Sequence, residues 1–252
     1  MGIVRTGLCF DTRVLTQSRH LQSLKSLDIL LFPELVDGGY AALRRGAPAH
    51  SIHDGFIDAF RSASAELSLC CIAGSLRLRT DSHSTNTSLS FFRGRIVHRY
   101  DKTHLFLPTG DRKFFRRGTT IHTFQISRGT TRLRIGVIIC YDLRFPELTR
   151  SLALQGAQVI CVPARWPSVR DDAWRTLLRA RAIENQVFVV GCNARGREGG
   201  YSYAFDPLGK MIFSNRNRPS GVLQTFTINT QRLKLARSHH NNLREAVLLR
   251  GR

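Results

Sequence analysis

The chain has 252 residues, of which 42% are hydrophobic; that is enough for a sizeable core and too apolar for a disordered chain. It carries 38 basic against 18 acidic residues, a formal charge of +20, and no apolar run approaches the ~20 residues of a membrane span. Cysteines at 9, 70, 71, 140, 161 and 192 form no CxxC pair, which excludes a zinc-finger pattern and points to free thiols rather than a disulfide frame.

In chain order, Met1–Arg5 runs directly into the short apolar stretch Ile3–Phe10. It has neither the long apolar region nor the cleavage site of a secretory signal, so the expected location is the cytoplasm. Further strand-length runs follow at Asp28–Phe32, Leu69–Ala73, Ser88–Phe92 and Leu133–Ile139, then at Gln158–Val162, Val187–Val190, Tyr203–Phe205 and Gly221–Ile228. Most are rich in β-branched or aromatic residues. Helical spacing occupies His53–Leu67, Phe145–Leu154 and Ala173–Ile183. The polar stretch Thr80–Ser90 and the Gly/Arg stretch Arg195–Gly200 read as loops. There is no internal repeat and no long linker. Strands alternating with helices predict an α/β fold in layers, with one domain over residues 1–252.

The charge comes almost wholly from arginine: five of the 38 basic residues are lysine, leaving 33 arginines. They are dispersed, with no block of five like charges and no aromatic-studded basic motif of the kind that stacks bases. A solvated basic surface is the better reading, and nucleic acid is not the expected partner.

Three residues stand at ends of predicted strands. Cys140 closes a buried-type strand and a helical stretch follows at once. That junction favours a thiolate and places the next backbone N–H near a developing oxyanion; a structural core cysteine is the alternative. Glu34 ends Ile29-Leu-Leu-Phe-Pro-Glu34, where it could act as a general base or simply begin a loop. Lys102, in Tyr100-Asp-Lys102-Thr-His-Leu-Phe after the strand-like stretch Gly94–His98, is a compact ammonium in a chain where lysine is scarce beside arginine, or else a surface lysine.

Pro33-Glu34, Tyr100-Asp-Lys102-Thr-His-Leu-Phe and Cys140-Tyr-Asp-Leu-Arg-Phe-Pro-Glu147, in this order, resemble the three signature segments of the nitrilase superfamily, the carbon–nitrogen hydrolases. Asn86, Gly38-Gly39-Tyr40, Val162-Pro-Ala-Arg-Trp-Pro167, Trp174–Gln186 and Gly200–Gly209 are similar to further family segments. The resemblance covers about residues 1 to 245. It implies a four-layer αββα sandwich in which Glu34 is the general base, Cys140 the nucleophile and Lys102 the oxyanion stabiliser, assisted by the Tyr141 backbone N–H. The chemistry it implies is amide hydrolysis through a cysteine thioester, with no metal or organic cofactor. It also implies a homodimer or larger assembly.

The family's usual second glutamate in the loop after the lysine is Asp111 here, shorter by a methylene. The stretch between Phe10 and Glu34 is short for the family's first helix. The cysteine segment, with Trp166-Pro167 and Ala180-Arg-Ala-Ile-Glu-Asn-Gln186, looks most like the ω-amidase branch, which implies a small carboxylate-bearing amide as substrate. An amidase of deaminated glutathione, or a low-activity member with a binding role, are the alternatives. Arg144 and Arg165 are candidates to hold the substrate carboxylate. The competing readings are a salt bridge of Arg144 to Asp142 or Glu147, and a surface place for Arg165, where relatives often carry asparagine or glutamine. Ala173 stands where relatives often carry histidine. Trp166 and Trp174 read as packing, Glu184 and Asn185 as a helix-end network, His104 as a hydrogen-bonded structural histidine, and Cys161 and Cys192 as core.

Overall fold

The structure is a computed structural model that describes residues 2–128, 131–217, 221–238 and 240–245. The first sheet takes β1 (Ile3–Cys9), β2 (Ile29–Leu31), β3 (Cys70–Ile72), β4 (Leu76–Arg79), β5 (Ser84–Phe92) and β6 (Arg95–Asp101). The second takes β7 (Phe124–Arg128), β8 (Thr131–Val137), β9 (Val159–Ala164), β10 (Phe188–Asn193), β11 (Tyr203–Phe205) and β12 (Met211–Ser214). The last strand, β13 (Leu223–Asn229), returns to pair with β1 and completes a first sheet of order β13-β1-β2-β3-β5-β4, with β6 on β5. The second sheet runs β12-β11-β10-β9-β8-β7. The helices are α1 (Ser18–Lys25), α2 (Gly39–Arg44), α3 (Gly55–Glu66), α4 (Asp111–Phe114), α5 (Pro146–Leu154), α6 (Asp171–Asn185), α7 (Gln231–Ser238) and α8 (Asn242–Glu245).

Strand alternation builds the layers. Val4, Leu8, Ile29, Leu31, Cys70 and Ile72 of the first sheet share one buried cluster with Ile135, Val137, Val159, Cys161, Phe188 and Val190 of the second. Their immediate neighbours point the other way. Leu30 and Cys71 pack with Leu24 of α1 and with Ile57, Phe60 and Ala63 of α3. Ile160, Val162 and Val189 pack with Leu152 of α5 and with Trp174, Leu178 and Ala182 of α6. The order is therefore helices, sheet, sheet, helices: the expected αββα sandwich. Helix ends follow local chemistry: the Asp54 carboxylate caps α3 by accepting from Ile57 N–H at 3.1 Å, and Pro146 opens α5, where its missing N–H costs nothing.

Two differences from the sequence reading have physical causes. Residues 84–90, read as part of a loop, lie in β5. Asn86, Thr87, Ser88 and Ser90 are polar yet fully buried there, so composition disguised a core strand. The short strands β4 and β7 alternate apolar residues with arginine, serine or glutamine, and β12 is only four residues long, so each carries a weak apolar signal. The connection from β1 to β2 is short, as expected, and holds a 3-10 turn over Thr12–Leu15 and the eight-residue α1.

β1 and β2, β2 and β3, β8 and β9, and β9 and β10 pair in parallel. Their carboxyl ends therefore lie at one edge, where side chains from loops of both sheets can converge. Among the described residues, no helix is long and apolar enough to cross a membrane.

Candidate active site

Glu34 leaves the end of β2 and is fully buried. Gly74, at φ +61°, lies beneath this turn, and a Cβ there would strike the Pro33 carbonyl oxygen. Glu34 Oε1 accepts from Lys102 Nζ at 2.8 Å, Asn86 Nδ2 at 3.0 Å and the Tyr40 hydroxyl at 3.4 Å. Its other oxygen accepts from the Arg165 backbone N–H at 3.0 Å. A carboxylate with this many donors is held in one orientation.

Lys102 follows β6 and is also fully buried. Its Nζ bridges Glu34 and Asp111 Oδ2, the latter at 2.9 Å. Asp111 begins α4 after Gly110, accepts from Phe106 N–H at 3.0 Å through Oδ2, and accepts from the Thr109 hydroxyl at 2.6 Å through Oδ1. The shorter side chain thus reaches the lysine. Burial alone would lower the ammonium's pKa, but the Glu34 carboxylate, aided by Tyr40, Cys140 and Asp111, outweighs it and holds Lys102 well above its ordinary value. Burial likewise works to raise the Asp111 carboxyl. The Lys102 charge and the Thr109, Lys102 and Phe106 hydrogen bonds prevail and lower it.

Cys140 follows β8, begins a short 3-10 turn over Cys140–Arg144, and is 8% exposed. Its φ is +48°, a conformation that costs a non-glycine residue about 1–3 kcal/mol and persists only where surroundings enforce it. The buried Asp142 enforces it. One of its oxygens accepts from Ile139 N–H at 3.0 Å and the Tyr100 hydroxyl at 2.7 Å. The other accepts from His104 N–H at 2.9 Å and contacts His104 Nδ1 at 3.0 Å. Burial pushes the Cys140 thiol well above its ordinary pKa, and the Glu34 charge and a hydrogen bond to Glu34 add to it against Lys102. Thiol and carboxylate stand side by side, an arrangement in which a proton can pass from sulfur to oxygen.

The structure thus brings together Glu34, Lys102, Cys140 and Asp111, with Tyr141 in the wall. Phe106, Cys140, Tyr141, Arg144, Trp166 and Arg170 line a narrow slot of about 30 Å³. It adjoins a cleft of about 710 Å³ that shares Phe106, Arg165 and Pro167 with it.

The two arginine candidates part company. The exposed Arg144 lies over the Trp166 ring at 5.0 Å. It has no ion pair to Asp142 or Glu147; Asp142 is already engaged by the donors above. Arg165 is no surface residue: its side chain is 13% exposed. Nε donates to the Glu34 carbonyl at 2.8 Å, one terminal nitrogen to the Leu35 carbonyl at 2.8 Å, and the other to Glu198 at 3.3 Å. Three of its five N–H donors are thus engaged within the protein, although Arg165 also lines the slot beside Cys140. Arg170, which the sequence reading did not single out, also lines the slot. It lies over Phe106 at 5.9 Å without a carboxylate partner among the described residues. The sequence carries no signal for it beyond its position three residues after Pro167.

The other residues fall as read. Trp174 is fully buried and packs on Trp166 at a ring distance of 5.3 Å. Glu184 joins Arg181 and Asn185 at the end of α6. His104 stacks on Phe145, and Cys161 and Cys192 are core. Among the described residues, no three His, Cys, Asp or Glu side chains are grouped to hold a metal ion.

A helix-flanked double sheet with a buried acid–lysine–cysteine cluster at its strand ends defines a class of hydrolase. The carbon-nitrogen hydrolase family model matches residues 18–238, and the chain belongs to that family. It is 35% identical over 200 residues to omega-amidase YafV of Escherichia coli K12, spanning 77% of this chain and 75% of that one. It is 31% identical over 206 residues to the 2-oxoglutaramate amidase of Bacillus subtilis, spanning 79% and 78%. The CN-hydrolase superfamily protein XC1258 of Xanthomonas campestris, solved with an arsenic adduct in its active site, superposes with a TM-score of 0.79. That match has 27% identity and covers 100% of this chain and 98% of that one. The protein is a hydrolase acting on amides.

Proposed function

We propose that the protein hydrolyses the terminal amide of a small carboxylate-bearing ω-amide of the 2-oxoglutaramate type, through a thioester on Cys140. Glu34 takes the thiol proton as sulfur attacks the amide carbon. Lys102 and the Tyr141 backbone N–H stabilise the tetrahedral oxyanion. Protonated Glu34 returns its proton to the departing nitrogen, and ammonia leaves. Water, deprotonated by Glu34, then attacks the thioester; the acid is released and the thiol restored. Asp111 keeps Lys102 charged and aimed.

The observation that carries the substrate class is the slot itself. Cys140 lies in its wall beside Phe106, Tyr141 and Trp166. Arg144 and Arg170 border it, each laid on an aromatic ring and each without a carboxylate partner among the described residues. A substrate carboxylate would supply that partner, and a guanidinium fork fixes its orientation as well as its charge. The names of the omega-amidase and 2-oxoglutaramate amidase relatives favour the same class.

The test is ammonia release from succinamate, 2-oxoglutaramate, a neutral aliphatic amide, a carbamoyl amine and a nitrile, with release of cysteinylglycine read for deaminated glutathione. Cys140→Ala is the control. The proposal expects the small ω-amides to be preferred; equal or better use of the neutral amide contradicts it. Assembly into at least a dimer belongs to the same proposal. Because subunits of charge +20 repel one another, the contact face should be locally neutral or apolar. Sedimentation as a monomer at both low and physiological salt overturns it.

A further inference from the structure

An arginine at position 165 takes a charge largely out of water, and a buried cation needs a counter-ion. The mechanism above gives that cation no chemical role, yet two of its three donor groups hold the main chain of the general base, at Glu34 and Leu35. Leu35 sits at φ +46°, a left-handed conformation that a leucine keeps only when held there. The carboxylate that completes the arrangement is Glu198, from the 195–200 loop. Its Oε2 accepts from Arg165 at 3.3 Å and from Tyr40 N–H at 3.1 Å, and its Oε1 accepts from Arg44 at 2.7 Å. Gly39 makes room for this contact: a Cβ there would lie 2.5 Å from Arg165 Cζ and 2.6 Å from Glu198 Oε2.

Resting on the reading of Glu34 as the general base, we propose that Glu198 is a positioning residue for Glu34, acting through Arg165. It touches none of the reacting groups. Its charge neutralises and orients the guanidinium that grips the Glu34 and Leu35 carbonyls, while the Arg165 backbone N–H holds the carboxylate of Glu34 itself. It also fixes the start of α2, whose Tyr40 hydroxyl reaches Glu34. Loss of Glu198 therefore loosens the base relative to Cys140 and leaves the substrate-binding arginines Arg144 and Arg170 in place.

The experiment compares Glu198→Ala, Glu198→Gln, Arg165→Asn and the Arg165→Asn/Glu198→Gln double variant. It reads kcat and KM for succinamate, the rate of Cys140 alkylation by iodoacetamide at fixed pH, and Tm. Displacement of a catalytic group predicts a fall of about tenfold in both kcat and alkylation rate for Glu198→Ala, with KM within about twofold. Glu198→Gln, which keeps one accepting oxygen and the side-chain shape, recovers part of both rates; it also replaces the alanine variant should that one not fold. In the Arg165→Asn background Glu198→Gln costs less than about twofold, because residues acting through one another are not additive. Unchanged kcat and alkylation in a folded Glu198 variant, a lower Tm alone, or full additivity with Arg165→Asn overturns the proposal. Absence of any Cys140-dependent amide hydrolysis in the unmodified protein, with alkylation still dependent on Glu198, would sink the amidase reading and leave the positioning role standing.

Discussion

Lys102 Nζ donates to Asp111 Oδ2 at 2.9 Å, and both side chains are fully buried. The aspartate reaches the lysine without the missing methylene because it opens α4 directly behind the ammonium. Asp111→Asn should lower kcat by about 100-fold and stability by about 3–5 kcal/mol, since it leaves Lys102 with one carboxylate in a buried site. Asp111→Glu should not raise activity: the extra methylene must displace the Thr109 and Phe106 contacts, at a cost of about 1–3 kcal/mol. Steady-state kinetics and thermal melts check both, and a faster Asp111→Glu enzyme contradicts the geometry. The pH sign follows from the lowered Asp111 carboxyl. Its stabilisation is present above the ordinary value of 3.8 and is lost as pH falls through the lower folded value.

Arg144 and Arg170 should govern KM for anionic substrates. Alanine at either position removes a charge-assisted contact of about 1.5–3 kcal/mol, which is about a ten- to hundredfold rise in KM for succinamate. The same variants should change KM for a neutral aliphatic amide by less than about twofold. An equal rise for both substrates would mean that the arginines shape the slot rather than read charge. Lysine should restore little at Arg144, because an ammonium lacks the guanidinium fork that can grip a carboxylate while lying over Trp166.

His50 ties the loop after Glu34 to the rest of the first sheet. Its ring nitrogens lie 3.3 Å from Asp37 and 2.6 Å from Asp54, and the ring stacks on Phe56. The hydrogen bond to Asp37, with the Asp54 carboxylate helping against burial, raises its pKa above the ordinary 6.5. A raised histidine contributes stability that is fully present below pH 6.5 and is lost as pH rises through the folded value. The Tm difference between the protein and His50→Gln should therefore be largest below pH 6.5 and shrink above it. A difference that grows with pH would reverse the assignment.

Gly39→Ala should fail for two reasons that act together. Its φ is +71°, and the added methyl would collide with Arg165 and Glu198. A loss of roughly 2 kcal/mol or more is expected from strain and displaced contacts, together with a lower rate of Cys140 alkylation. A variant as stable and as reactive as the parent would show that this approach is not required.

Much of this was legible in the sequence, for reasons that differ by residue. Glu34 and Cys140 each stand directly after an apolar strand, and the strand ends are where the parallel register gathers side chains. Lys102 was marked by its rarity among arginines. What stayed hidden depends on contacts far apart in the chain. Arg165 looked like a surface or substrate-facing residue because nothing local reveals that its fork closes on Glu34, 131 residues away. Glu198 was a single acid in a Gly/Arg stretch, and Arg170 one arginine among 33. The buried polar half of β5 looked like a loop because its partners, Glu34 for Asn86 and Asp101 for Thr87, lie on other elements.

The central claim is that Cys140 carries the acyl group. The direct measurement is intact-protein mass spectrometry after acid quench of the protein mixed with succinamate or 2-oxoglutaramate. The account predicts a mass increase equal to the substrate less ammonia, located on the peptide containing Cys140. It should be absent in Cys140→Ala and should accumulate in Glu34→Gln if that variant acylates at all, since deacylation also needs the base. Ammonia release at the normal rate from Cys140→Ala, or an acyl adduct on a different residue, would contradict it.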